Sequence, residues 1–398
     1  MYFFRLATEF YRMTSTETDE RQKDNKKALA HEFIAICAVF FLIGFNFSTW
    51  ASRIPAIRDS AFLIPATLGY ALLARGIGSV VMMPITSWLV NKFGARNTAY
   101  YFGWVVVFSL IPVAYSPNWI FLALSLAIMG GAGGGFNLAI NALGAAYELR
   151  VGRPRMSTIH SWFGVGNLSG AVLGTGAAAI LITAQIHMIS ATILMLIVVI
   201  ISFRFIPDEK ASIKHPGLTR PEPTILWLGV IIFLAACTES SIMNWIALFY
   251  SDYLGTGERI AAIGYTVYAS SLLMMRFFGD RLRFNFGAQK LIIVGTMLAS
   301  VGIIFAIITQ NLVISSIGIF LMGGGVALTF PFVFSIAGKI SSNALATVMI
   351  FGGIGELISQ PVMGVIVQNY NLDGGFYTIA GVVLLTSAIA WKAKLLRE

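Results

Sequence analysis

Ile206-Pro207-Asp208-Glu209-Lys210-Ala211-Ser212-Ile213-Lys214-His215-Pro216-Gly217-Leu218-Thr219-Arg220-Pro221-Glu222-Pro223 is the longest polar stretch after the first 32 residues. On either side of it runs a series of apolar segments of about twenty residues with almost no charge, the length a helix needs to cross a hydrocarbon layer of about 30 Å. The chain has 398 residues, of which 57% are hydrophobic and 11% charged, and its mean hydropathy is +0.79. That leaves too little polar sequence to clothe a soluble globule, so lipid must be the solvent for most of the surface. Strands would cross in fewer residues, and a helix pairs its own backbone groups, so the fold class is all-α integral membrane.

Before the polar stretch the apolar runs fall at 33–57, 65–90, 98–115, 118–147, 156–184 and 186–205; after it they fall at 224–250, 260–280, 288–309, 312–338, 344–368 and 374–391. Twelve transmembrane helices divide six and six. The domain reading is an N-terminal tail over 1–32, a six-helix bundle over 33–205, a linker over 206–223, a second six-helix bundle over 224–391 and a C-terminal tail over 392–398. The first 32 residues mix Glu17, Asp19, Glu20 and Asp24 with Lys and Arg and have no apolar core, so they read as a solvated tail rather than a cleavable signal.

The two series are copies. Gly69-Tyr70 matches Gly264-Tyr265, Phe93-Gly94-Ala95 matches Phe286-Gly287-Ala288, and Met129-Gly130-Gly131 matches Met322-Gly323-Gly324. Gly164-Val165-Gly166-Asn167-Leu168 matches Gly353-Ile354-Gly355-Glu356-Leu357, and Trp50 matches Trp245. Five matches in one order at nearly constant spacing mark two six-helix pseudo-repeats. An even number of spans per copy gives parallel topology, the arrangement of transporters that hold solute between their halves near the midplane.

The net charge of +9 reports orientation rather than a nucleic-acid partner. Apart from Arg53, Arg58 and Arg259 on the opposite loops, and Arg75 and Arg276 within spans, every Lys and Arg falls on one set of alternating loops and on the tails. By the positive-inside rule both termini are expected in the cytoplasm. The two cysteines, Cys37 and Cys237, lie within spans and read as apolar fillers.

The loop after span two reads Ser87-Trp88-Leu89-Val90-Asn91-Lys92-Phe93-Gly94-Ala95-Arg96, and the one after span eight carries Gly279-Asp280-Arg281-Leu282-Arg283 followed by Phe286-Gly287-Ala288. With the duplicated six-span plan, these strings resemble the major facilitator superfamily, whose signature there is Gly-x-x-x-Asp-Arg-x-Gly-x-Arg. Ser87 stands in place of its Gly and Asn91 in place of its acid. The resemblance spans residues 33 to 391 and implies alternating access, with a cytoplasmic gate from Lys92, Arg96, Glu148, Arg153, Asp280 and Arg281. Span five lacks the Gly-Pro-x-x-Gly-Gly ending of many drug antiporters, and the loop after span six lacks the Pro-Glu-Ser-Pro-Arg string of sugar porters. The nearest likeness is to bacterial members of unassigned substrate.

Ionisable groups within a bilayer cost at least about 2.5 kcal/mol each, so those present should face water or a partner. By helical rise Arg75 lies about 15 Å from the outer end of its span, and Glu239 about 22 Å and Glu356 about 18 Å from the inner ends of theirs, all in the central third. Polar companions follow helical spacing: Asn46, Trp50 and Arg53; Asn137 and Asn141; His160 and Asn167; Glu356 and Gln360, with Asn244 and Trp245 in span seven where Thr49 and Trp50 stand in span one. Arg53, Thr49 and His160 aside, the last reading as a structural imidazole near the inner boundary, these are the candidate substrate or coupling residues; the competing roles are interhelical hydrogen bonding for Asn and interfacial anchoring for Trp. Arg276, four residues before Asp280, reads as half of an intrahelical pair. The glycine ladders of spans four, five and eleven read as packing surfaces, with a kink at Pro361.

No phosphate-binding Gly-x-x-x-x-Gly-Lys-Ser/Thr string is present, and the four histidines are scattered, so ATP-driven transport, a metal centre, a cofactor and an enzyme are not expected. The expected function is secondary active transport of a small organic solute in the bacterial inner membrane by a monomer. Glu239 or Glu356 would carry a proton or another coupling ion and Arg75 would bind an anionic or hydroxyl-rich solute. The rivals are a receptor or assembly partner in the same fold, or a multidrug or metabolite exporter.

Overall fold

The computed structural model describes residues 2–152, 155–208 and 223–396. The helices are α1 (Tyr2–Ala51), α2 (Ile54–Ser60), α3 (Pro65–Phe93), α4 (Ala95–Phe108), α5 (Leu110–Ala114), α6 (Trp119–Val151), α7 (Met156–Ala179), α8 (Ala184–Ser202), α9 (Pro223–Leu248), α10 (Glu258–Phe286), α11 (Ala288–Thr309), α12 (Leu312–Val326), α13 (Thr329–Ile340) and α14 (Ser342–Lys392). Among the described residues ten helical segments are long and apolar enough to cross a membrane. The last, Asn343–Lys392, is two spans joined at Asn371, where φ is 60° and ψ −178°. The 24-residue, glycine-rich α7 makes the twelfth. In this count α4 with α5 and α12 with α13 are single broken spans.

Several boundaries differ from the sequence reading, each for a local reason. Span one ends at Ala51 rather than 57, because Pro55 has no N–H to give and opens α2 in its first turn. Arg53 therefore lies on the connection and not on the stripe of span one. The third span breaks at Ser109, three residues before Pro112. In α14 the backbone leaves helical geometry at Asn371, within the gap expected between spans eleven and twelve, and Pro361 lies inside the helix. The backbone of the N-terminal tail is helical and continuous with span one. At the other end Leu396 is fully buried, so the C-terminal tail tucks against the second half rather than extending into solvent.

Capping is local and conventional. Asn118 accepts from the Phe121 amide at the start of α6, and Asn311 from the Val313 and Ile314 amides at the start of α12. Gly94 and Gly287, the repeated glycines after spans two and eight, share one turn, with φ/ψ of 85°/157° and 77°/155°. Only glycine enters that region without strain.

The repeated glycines also share a task. An added Cβ at Gly130 would run into the Arg75 carbonyl of α3, and one at Gly323 would come within 3.0 Å of the Tyr268 carbonyl of α10. Gly130 and Gly323 are as far apart in the chain as Arg75 and Tyr268. Likewise Gly166 abuts the Phe41 carbonyl and Gly355 the Phe233 carbonyl. Each half thus seats span two on span four, and span one on span five, by the same backbone approach.

The halves meet through α3 against α14 and α7 against α10. Gly69 and Gly364 cross so closely that a Cβ on either would stand 3.0 Å from the other's Cα. Thr175 and Thr266 hydroxyls lie 2.9 Å apart. Both contacts sit toward the end of the bundle that carries α2 and the π-helical turn Phe249–Tyr253, which we call the latched end.

Candidate solute gap between the halves

Arg75 projects from the middle of α3 toward the other half, where its Nη1 lies 3.7 Å from Oε1 of Glu356 on α14. Its guanidinium also rests over the Phe47 ring of α1, 4.5 Å from the centroid. Phe47 packs at 6.4 Å from the Tyr265 ring of α10, and the Tyr265 hydroxyl donates to Asn167 Oδ1 of α7 at 2.7 Å. Five spans, three from the first half (α1, α3 and α7) and two from the second (α10 and α14), are thereby drawn around one point. Glu356 is 53% exposed although it lies mid-span. Its partner comes from the opposite half, so the pair stands where the halves face each other.

One turn along α14, Gln360 is buried; its amide donates to Ser240 Oγ at 2.7 Å, and its Oε1 accepts from Trp245 Nε1 at 3.3 Å. Asn244 donates to the Ser240 carbonyl. Gln360, Trp245 and Asn244 thus form a polar seam between α9 and α14 within the second half. Glu239 sits apart from Arg75, with Arg276 Nη2 at 3.3 Å from its Oε1, while Arg276 Nε donates to the Ala327 carbonyl. Arg276 therefore bridges α10 to α9 and α12–α13, where the sequence spacing had paired it along its own helix.

Other candidates turn to packing. Asn46 is buried and donates to the Val106 carbonyl, tying span one to span three. Trp50 is fully buried in the first half. Asn141 donates to the Asn137 side chain and carbonyl on the same face of α6, and Asn137 is exposed.

The expected gate residues do local work. Arg96 donates to the carbonyls of Phe203 and Ile206, 2.9 and 2.6 Å away, closing the end of α8. Glu148 accepts from the Arg155 and Met156 amides at the start of α7. Lys92 lies over Trp88 and Phe93. Arg281 is exposed; Arg153 and the side chain of Asp280 lie outside the described residues. Glu32 of α1 pairs with Arg150 of α6, a contact within the first half.

Sequence reasoning missed the latch. Arg53 Nη2 meets Glu258 Oε1 at 2.8 Å, and Arg58 pairs with Asp252, each bond joining the two halves at the latched end. Burial pushes the Arg53 pKa down from the ordinary arginine value, opposed by Glu258. At Arg58 the cost of burial is outweighed by Asp252 and Asp59, which raise its pKa. Between the halves there, Arg58, Pro65, Leu68, Trp245 and Asp252 help to line a cavity of about 270 Å³. The available signal was opposite charge on short loops at one end, basic in the first half and acidic in the second.

Comparison with known proteins decides the family. The profile described as Major Facilitator Superfamily matches residues 36–343. The chain belongs to the Major Facilitator Superfamily. It is 29% identical over 357 residues to an uncharacterized MFS-type transporter of Yersinia pestis, a match covering 88% of this chain and 93% of the relative. It is 24% identical over 373 residues to the membrane protein MosC of Rhizobium meliloti, covering 89% of each. Among solved structures, the nucleoside transporter NupG aligns with a TM-score of 0.72 at 13% identity, covering 91% of this chain and 98% of that one. A D-xylose-proton symporter aligns with a TM-score of 0.71 at 14% identity, covering 91% and 97%. At such identities these two speak for the fold. The superfamily makes the chain a multi-pass membrane transporter of a small-molecule solute and not an enzyme.

Proposed function

We propose that this superfamily member moves a small organic solute bearing an anionic or hydroxyl-rich group across the bacterial inner membrane, driven by protons, with both termini in the cytoplasm. The observation that carries the reading is the Arg75–Glu356 pair, which joins the halves in mid-bundle and leaves the carboxylate half exposed. A solute anion that takes the guanidinium deprives Glu356 of its partner. A proton on Glu356 then takes the place of the lost cation. Solute entry and protonation are thereby linked, and Arg75 returns to Glu356 when the solute leaves.

Asn167, Tyr265 and Phe47 shape the position of Arg75, and Asn137 and Asn141 add a polar wall from α6. Glu239 keeps its own cation in Arg276 and has the weaker claim to carry the proton. The charge bias of the loops supports the orientation, and the ion pairs at Arg53 and Arg58 support a state closed at the opposite, external end.

The test begins with a thermal-shift screen of purified protein against organic acids, sugars and amino acids, since a ligand stabilises the state it binds. The hit is then followed in proteoliposomes under an imposed pH gradient. Glu356→Gln should still exchange solute for solute yet lose accumulation driven by the gradient. Gradient-driven accumulation at the native level in Glu356→Gln would rule the reading out.

A further inference from the structure

At the latched end the first half buries more hydrogen-bond donors than the protein satisfies. Arg53 is 1% exposed, and its Nη2 is used by the Ile182 carbonyl at 2.7 Å and by Glu258, while its Nε and Nη1 have no partner among the described residues. Trp50, one turn earlier and fully buried, has an unpartnered indole N–H. His187 of α8 is 7% exposed with both ring nitrogens unpartnered. It stands beside the same segment: a Cβ built on Gly174 would meet Ser52 Oγ on one side and, at 3.4 Å, the His187 ring on the other.

Buried donors without acceptors cost free energy, the more so on a guanidinium. This group offers up to five N–H donors and one imidazole acceptor, an imbalance that suits a ligand which only accepts. A second cavity, of about 240 Å³, lies over the site; Ile182 and Glu258, the two groups that hold Arg53 Nη2, are in its wall, and so is Arg259. It offers a route from solution past a cation to the carboxylate that covers Arg53.

We infer that Arg53, Trp50 and His187 form a binding site for a small inorganic anion of halide size, which replaces the Glu258 carboxylate on Arg53 when the latched end opens. Arg53 belongs to the first half and Glu258 to the second, so separating the halves would otherwise strand a buried cation. The anion supplies the missing charge and the missing acceptor together, and its concentration then biases the equilibrium between the latched and open states. Glu258, as the competing carboxylate, sets how much anion is needed.

The experiment melts purified full-length protein, and its Arg75→Gln variant so that gluconate cannot act as a solute on Arg75, in sodium chloride, sodium bromide and sodium gluconate at matched ionic strength, which holds screening constant. Chloride and bromide should raise the melting temperature above gluconate in a saturable way. Glu258→Gln should lower the half-saturating chloride concentration about tenfold, the usual worth of one charge-assisted hydrogen bond. Arg53→Gln should abolish the halide effect, and should that variant not fold, His187→Phe is expected to weaken it several-fold while Arg75→Gln leaves it in place. Superimposed halide and gluconate curves in both the native protein and Glu258→Gln would overturn the proposal, leaving the group as donors to buried water. So would a halide effect that follows Arg75 instead of Arg53.

Discussion

Gly364→Ala should move the protein away from its latched state, and the size of the effect can be worked from the crossing of α3 and α14. A Cβ at 364 would stand 2.8 Å from the Pro65 carbonyl oxygen, 3.0 Å from the Gly69 Cα and 3.4 Å from the Ala66 Cα, against 3.4–4 Å for ordinary contact. All three are backbone atoms, so no side chain can turn aside. The helices must part by roughly 0.5–1 Å, an overpacking cost of about 2 kcal/mol. Alanine also favours the helix over glycine by up to about 1 kcal/mol, but it does so in both states and cancels from the equilibrium between them. The penalty falls only where the helices cross, so the ratio of open to latched protein should rise about thirtyfold. Spin labels at Ile120→Cys and Val313→Cys, exposed positions near that end on opposite halves, report the separation in a background with Cys37 and Cys237 replaced. Native protein should give mainly the shorter distance, and Gly364→Ala a large added population at longer distance. Gly69→Ala, whose Cβ would face the Gln360 carbonyl at 2.7 Å, should do the same. Unchanged distance distributions in both variants would refute the claim that this crossing is the close contact of the latched state.

Arg96→Ala should lower the melting temperature through loss of two carbonyl contacts at the end of α8, about 2 kcal/mol in all, and Arg96→Lys should recover only part of it; a native melting curve for the alanine variant would return Arg96 to the gate. Asn46→Leu should cost about 1 kcal/mol of stability and leave solute affinity unchanged, because Val106 O still accepts from Ser109; a tenfold loss of affinity with native stability would make Asn46 a solute contact.

What the sequence exposes is what repeats at short range. The matched glycines carry the same turns and close approaches in each half, so reading them as copies leads directly to the paired bundles. Gly94 and Gly287 are legible because only one residue type suits their backbone. Arg96 was legible as a charge but not as a cap, since the carbonyls it holds lie more than a hundred residues away in the chain. The Arg53–Glu258 and Arg58–Asp252 pairs were hidden for the same reason: short loops have no periodicity, and their partners are fixed only once the halves close. Trp50 and Trp245 match in sequence, yet Gln360 accepts from Trp245 while the Trp50 indole has no partner among the described residues. A repeat predicts position, but the neighbouring half-specific residues decide chemistry.

The pairs that join the halves differ in how firmly they can hold, and that difference suits a transporter. Arg58 and Asp252 are partly open to solvent, where an ion pair contributes about 0.2–1 kcal/mol. Arg75 and Glu356 meet at 3.7 Å, beyond a good hydrogen bond, with the carboxylate half exposed. Neither contact could lock the molecule against a solute that binds with several kcal/mol. The stiffer elements lie within each half: the glycine-seated crossings of α3 on α6 and α10 on α12, and the Arg276–Glu239 and Glu32–Arg150 pairs. Between the halves the firm contact is Arg53–Glu258, which an anion on Arg53 would replace; with the other ion pairs weak, each bundle can move as a body. The Arg75–Glu356 pair can then yield to solute without loosening the scaffold that aims it.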